Sequence, residues 1–167
     1  MKHLVVGADP YGFQLKEAVK AHLLERGIQV DDIGAYTGEE SRAYYEVAAE
    51  AADRVARGAA EGAVLVCGTG MGMAILANKF PGVYAAVCEN RTAAERARSI
   101  NNANVLTLGG FVTPPETARE IVDAWLTTAF TAGWEPPIQE FLHRSMGAIQ
   151  ALEQRAFGHR SCDGEGR

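Results

Sequence analysis

Short apolar runs alternate with amphipathic stretches along most of this chain. His3–Ala8 and residues 28–33, 63–67, 83–87 and 105–108 each read as a strand of four to six residues, most of them nearly continuous in apolar side chains. Between them apolar positions recur at helical spacing. Residues 13–26 place Leu15, Val19, His22 and Leu23 on one side; 44–58 are alanine-rich; 71–79, 92–99 and 116–130 follow the same period. Strands separated by helices predict βαβ units and a parallel sheet. The lack of polar alternation within the strands predicts burial of both sheet faces.

The pattern breaks at Ala132-Gly133-Trp134-Glu135-Pro136-Pro137 and resumes as a helix over 138–155. That last helix is expected either to leave the domain body toward a partner subunit or to fold back on its own domain. The chain thus divides into an α/β domain over 1–131, an extension over 132–157, and a polar, glycine-rich tail over 158–167 expected to be disordered. Cys162 falls in that tail and takes no role. At 167 residues there is room for one sizeable core and not for two ordinary domains.

A net charge of −5 argues against sequence-independent nucleic-acid binding, which needs a basic surface. No run approaches the roughly 18 apolar residues of a membrane span. Met1-Lys2-His3-Leu4 leads directly into a strand pattern without a leader, and Cys67, Cys88 and Cys162 have neither metal-site spacing nor the look of a disulfide framework. The expected compartment is the cytoplasm.

Candidate chemistry concentrates in Val64-Leu65-Val66-Cys67-Gly68-Thr69-Gly70-Met71-Gly72. An apolar strand ends in a cysteine, a loop with glycine at every second position follows, and a helix begins. Such a loop can turn several backbone N–H groups toward one anionic point, and the same field favours a thiolate. A base beside an oxyanion-binding loop suffices to move a proton on the carbon next to a carbonyl. Two further loops belong to the same carboxyl edge of the sheet, Gly7-Ala8-Asp9-Pro10-Tyr11-Gly12 and Cys88-Glu89-Asn90-Arg91. The first has neither a P-loop lysine nor dinucleotide glycine spacing, and Met73 stands where such a fingerprint wants its last glycine. Each residue also has a plainer reading. Cys67 and Cys88 can be small buried hydrophobes; Asp9 can cap the helix after Gly12; Asn101 and Asn102 can be turn residues; Tyr44 and Tyr45 can pack on the core.

The run around Cys67, with Ala77-Asn78-Lys79-Phe80-Pro81-Gly82-Val83 and Asn101-Asn102-Ala103-Asn104-Val105-Leu106, resembles the ribose-5-phosphate isomerase B / LacA–LacB sugar-phosphate isomerase family. The likeness spans about residues 1–130 and includes Gly7-Ala8-Asp9 and Phe13-Gln14-Leu15-Lys16. It implies a Rossmann-like three-layer α/β sandwich and a homodimer or homotetramer with active sites at the subunit interface. It also implies interconversion of aldose and ketose phosphates through a cis-enediolate, with no metal or organic cofactor. Cys67 matches the general base between C2 and C1. Thr69 matches the hydroxyl that helps move protons at the sugar oxygens. Gly68, Gly70 and Gly72 lie in the loop that holds enediolate charge, and Asp9, Tyr44 and Asn101 match substrate contacts.

The departures from that family carry information of their own. Pro10 stands in place of a histidine that contacts substrate and phosphate. Ile100 replaces the histidine that assists furanose opening, and Phe111 follows Leu108-Gly109-Gly110 where an arginine is usual. The C-terminal arginine pair that grips phosphate has Arg144, beside His143, as its nearest match. Loss of the ring-opening histidine suggests a sugar that needs no ring opening. A tetrose 4-phosphate is one, because its 4-oxygen is esterified, so erythrose 4-phosphate and erythrulose 4-phosphate are the expected pair. A pentose or hexose phosphate, with another residue opening the ring, is the alternative. An unphosphorylated sugar or sugar acid is a third, and a subunit that binds sugar phosphate without turnover a fourth.

Overall fold

In the computed structural model, which describes residues 1–37 and 42–158, five parallel strands and six helices alternate. They are β1 (His3–Ala8), α1 (Phe13–Glu25), β2 (Gln29–Asp32), α2 (Tyr44–Ala56), β3 (Gly62–Cys67), α3 (Met71–Ala77), β4 (Ala85–Val87), α4 (Arg91–Ser99), β5 (Val105–Gly109), α5 (Pro115–Thr127) and α6 (Pro136–Gly158). The sheet order is β2-β1-β3-β5-β4, and every pairing is parallel.

Alternate strand residues feed two apolar layers, as the period-2 geometry of a strand requires. Leu4, Val6, Val64, Val66, Leu106 and Leu108 pack under α1, α4 and α5 with Leu15, Val19, Ile121 and Trp125. Val5, Ala63, Leu65, Cys67 and Val105 face α2 and α3 with Val47, Ala51 and Met73. The three-layer α/β sandwich expected from the sequence is therefore present, and Cys67 belongs to the α2–α3 face.

Element ends differ from the sequence reading where side chains capture backbone groups. β4 begins at Ala85 and not at residue 83, because Asn104 Oδ1 takes the N–H of Tyr84 and the Phe80 carbonyl takes that of Val83. α5 stops at Thr127, where Thr128 turns extended (ψ 123°). α6 starts two residues early, because a proline fits the first turn of a helix. It buries Leu142 and Met146 and leaves Phe141, Ile149 and Leu152 exposed, so it draws little on the domain's own core. The expected tail beyond residue 158, Cys162 included, lies outside the described residues. Among the described residues no helix is long and apolar enough to cross a membrane.

Candidate active site

The chain runs from β1 to one side of the sheet, through β2, and then returns to place β3 on the other side of β1. The crevice beyond the carboxyl ends of β1 and β3 is therefore a topological switch point, where open α/β sheets bind ligands. Asp9 follows the end of β1 and Cys67 is the last residue of β3.

Close backbone contacts hold these two loops together. A Cβ on Gly12 would overlap the Val66 carbonyl, so only glycine lets the β1–α1 loop lie against the end of β3. The Asp9 N–H donates to the Val66 carbonyl at 3.3 Å. On the other side the Gly110 N–H donates to the Cys67 carbonyl at 2.7 Å, and the Phe111 N–H to the Gly68 carbonyl at 2.9 Å. Gly70 adopts φ 77°, a left-handed conformation that favours glycine, and caps α3. This turn directs the Gly70 N–H at Cys67 Sγ, 3.1 Å away. An N–H aimed at sulfur stabilises negative charge there. Thr69 Oγ1 accepts from the Met71 N–H at 3.4 Å.

Asp9 is buried, with 7% of its surface exposed. Burial pushes its carboxyl above the usual range, partly offset by the N–H groups of Gly12 and Tyr11. Its Oδ1 accepts from the Gly12 N–H at 2.9 Å; Gly12 is itself the N-cap of α1 and that helix has no side-chain cap, so Asp9 ties the turn before the helix and does not cap it. Beside it opens a cavity of about 540 Å³ that Tyr11, Arg42 and Tyr44 also line. The Tyr44 ring lies over Gly72, 2.7 Å from where a Cβ would sit, and meets Tyr45 edge to face at 5.5 Å. Phe111 covers Gly68 in the same way, also at 2.7 Å, and meets Tyr11 at 5.5 Å. Glycine at 68 and 72 thus makes room for two aromatic rings as well as for N–H groups.

Cys67, Gly68, Thr69, Gly70, Gly72, Asp9 and Tyr44 are brought to one edge of the sheet. Asn101 and Arg144 are not. Cys67 pairs with Gly109 at the end of β5, and Asn101 precedes Val105 at its beginning. The two residues lie at opposite ends of the sheet, more than about 13 Å apart along the strand direction at the usual rise per residue. Asn101 lines a separate cavity of about 280 Å³ with Asn78, Tyr84, Met146 and Ile149. Arg144 is exposed on α6 and pairs with Glu140 at 3.0 Å. Neither completes the Cys67 site from within its own chain.

Cys88 is buried, which pushes its thiol up to about 11; it packs, as the plainer reading had it. Arg42 escaped the sequence reading. It lines the Asp9 cavity, donates to the Ile33 carbonyl, and pairs with Glu50 at 2.8 Å. Nothing in its immediate sequence marks it, since the fold alone brings the start of α2 beside the end of β1.

Residues 4–137 match the family model described as Ribose/Galactose Isomerase. The chain belongs to this family. It is 44% identical to the 4-deoxy-4-sulfo-D-erythrose isomerase of Clostridium sp. (strain MSTE9), over 92% of this chain and 97% of that protein. It is 41% identical to the ribose-5-phosphate isomerase B of Escherichia coli (strain K12), over 93% and 99% respectively. Among solved structures, the ribose-5-phosphate isomerase B of Clostridium thermocellum superposes with a TM-score of 0.83 at 34% identity, covering 92% of this chain and 99% of that one. The protein is accordingly an aldose–ketose isomerase of the sugar-phosphate isomerase family.

Proposed function

We propose that this isomerase acts on an open-chain four-carbon sugar with an anionic group at its far end, using Cys67 as general base. The observation that carries the reading is the Gly70 N–H aimed at Cys67 Sγ in a loop pinned by its neighbours on both sides. The thiolate takes the proton from C2 of the aldose, and the electron pair moves through C2–C1 onto the carbonyl oxygen. N–H groups of residues 68–72 hold the resulting cis-enediolate. Thr69 carries a proton from the C2 oxygen to the C1 oxygen. Cys67 then returns its proton to C1, and the ketose results. Asp9 and Tyr44 hold the sugar hydroxyls from the cavity side.

Chain length and end group follow from side chains that handle neither protons nor charge. Ile100 stands beside Asn101, at the end of the sheet away from Cys67; presented to the site by a second copy, it cannot donate or accept a proton, which suits a sugar without a ring to open. Among the described residues lining the Asp9 cavity, Arg42 is the only cation, and Glu50 already neutralises it. Phe111 and Pro10 add no charge. A phosphate dianion wants several cationic donors, whereas a sulfonate carries a single charge. The relative named for a sulfo-erythrose supports the sulfonate, and a tetrose 4-phosphate is the next candidate. Initial rates on 4-deoxy-4-sulfo-erythrose, erythrose 4-phosphate and ribose 5-phosphate test this. The four-carbon substrates are expected to lead, the sulfonate first. Equal or faster turnover of ribose 5-phosphate would overturn the chain-length reading.

A further inference from the structure

The turn that carries Ile100 and Asn101 is held by an arginine whose charge meets no carboxylate. α4 ends in a left-handed residue, Asn102 (φ 49°), and its last carbonyls are taken by the turn: the Asn102 N–H donates to Arg98 at 3.1 Å and the Ala103 N–H to Ala97 at 2.9 Å. The Arg98 side chain then folds back onto the same turn. Nη1 donates to Asn102 Oδ1 at 3.2 Å and to the Ala103 carbonyl at 2.8 Å, and Nε reaches the Thr128 carbonyl at 3.4 Å. The guanidinium lies 5.8 Å from the Trp125 ring centre, and Trp125 Nε1 donates to the same Ala103 carbonyl at 3.0 Å.

Among the described residues, no carboxylate comes within ion-pair distance of Arg98. Burial bears directly on this charge and lowers the guanidinium pKa from its ordinary value. A half-buried cation without a counter-charge is unfavourable, and a surface helix position has no need of one. What Arg98 supplies here is the planar fork, which binds three oxygens in fixed directions where a lysine would offer a point charge. The result is a turn with two sides. Asn102 faces back to Arg98 and a polar cavity of about 470 Å³, while Asn101 lines the other cavity, with Tyr84 and the α6 residues Met146 and Ile149.

We infer that Arg98 is a positioning residue for the isomerase reaction, acting through Asn101: its fork fixes the 100–103 turn so that Asn101 is presented at one angle to substrate. This rests on the reading of Asn101 as a substrate contact. Arg98 touches no substrate itself.

A double-mutant cycle on the whole protein tests it, with Asn101→Ala, Arg98→Met and the pair assayed for kcat and KM on the best tetrose substrate. Each single change is expected to lower kcat/KM by about 10-fold, the size of one hydrogen bond lost or misaimed. The pair should lose little more than Asn101→Ala alone, because Arg98 has nothing left to position. Arg98→Lys, which keeps the charge and loses the fork, should resemble Arg98→Met and provides the cycle if the methionine variant does not fold. Losses that multiply in the pair would overturn the inference while leaving Asn101 a substrate contact, as would a lowered melting temperature with unchanged kcat and KM. A wild-type rate for Asn101→Ala would remove the reading beneath it.

Discussion

Mixing two impaired variants asks whether one active site draws on two chains. Cys67 ends β3 and Asn101 precedes β5, and the parallel register puts them at opposite ends of the sheet. The gap exceeds about 13 Å along the strands, so a four-carbon substrate held at Cys67 does not reach Asn101 of the same chain. If Asn101 contacts substrate, a second copy supplies it. Cys67→Ala should lose at least about 10²-fold in rate as a missing general base, and Asn101→Ala about 10-fold as a missing hydrogen bond. In a mixed two-fold oligomer one site combines an intact Cys67 with the intact Asn101 of the other chain, and the second site lacks both. Random exchange makes about half of all dimers mixed, so roughly a quarter of wild-type activity should return beyond what the parents contribute. The assay is subunit exchange at equal concentrations, confirmed by native mass, followed by initial rates. Confirmed exchange with no gain over the averaged parents would refute the reasoning and leave Asn101 without a part in catalysis.

Three further outcomes follow from single contacts. Cys67→Ser should keep substrate affinity and lose about 10²-fold or more in kcat, read from binding by calorimetry beside kinetics. Gly12→Ala should destabilise by about 1–3 kcal/mol in urea titration, because the new methyl overlaps the Val66 carbonyl. Lys16, fully buried, donates to both oxygens of Asp32 at 2.9 and 2.8 Å and to the Ala35 carbonyl at 2.7 Å. Lys16→Met should destabilise by about 1–3 kcal/mol, since Asp32 then keeps only Lys20 Nζ at 2.7 Å and the Gly34 N–H as partners and the Ala35 carbonyl loses its donor. The same pair fixes a pH dependence: burial alone would raise the Asp32 carboxyl, but hydrogen bonds from Lys16 and Lys20 outweigh it and hold the group below its ordinary value. Its contribution is therefore present above the unfolded carboxylate pKa and is lost as pH falls through the folded one. Urea midpoints at pH 7 and pH 3 should differ less for Lys16→Met than for the wild type; an equal difference would show the pair to be irrelevant to acid stability.

Strand and helix order was legible because β1, β3 and β5, buried on both faces, leave continuous apolar runs that a sequence displays directly; burial on both faces fails at the edge strand β2, whose Asp31 and Asp32 are only half-buried. The Cys67 loop was legible for a related reason. A backbone that must approach its neighbours closely and cap a helix at φ 77° needs glycine, and glycine at alternate positions shows in the text. The location of Asn101 relative to Cys67 was not legible. It depends on strand polarity, since α4 carries the chain back to the amino edge of the sheet before Asn101 is reached, and a list of matching residues does not carry that. Arg42 was invisible for the converse reason: its neighbours in the cavity are distant in sequence, and its own segment has no period to read. Arg144 looked like a phosphate ligand by position alone, and the structure pairs it with Glu140 one helical turn away.

The substitutions that set this chain apart fall where the fold tolerates them. The Cys67 loop is fixed by backbone contacts: Gly12 against Val66, Gly70 against Leu108 and Gly109 against Thr69, the last two at about 3 Å or less from a Cβ position. Any side chain there would move Cys67. Phe111 is 71% exposed and Arg144 has solvent around it, so neither position is held by packing, and each can exchange charge for an apolar surface or an ion pair without disturbing the sheet. Pro10 sits between Asp9 and Tyr11 at the cavity wall, where its ring leaves the Asp9–Gly12 hydrogen bond intact. The loop that carries Cys67 is thus held by geometry that resists change, whereas Phe111 and Arg144 stand where packing does not hold them. If the substrate's far end meets such exposed positions, as the proposed function requires, the reaction can stay the same while the length and charge of the sugar vary.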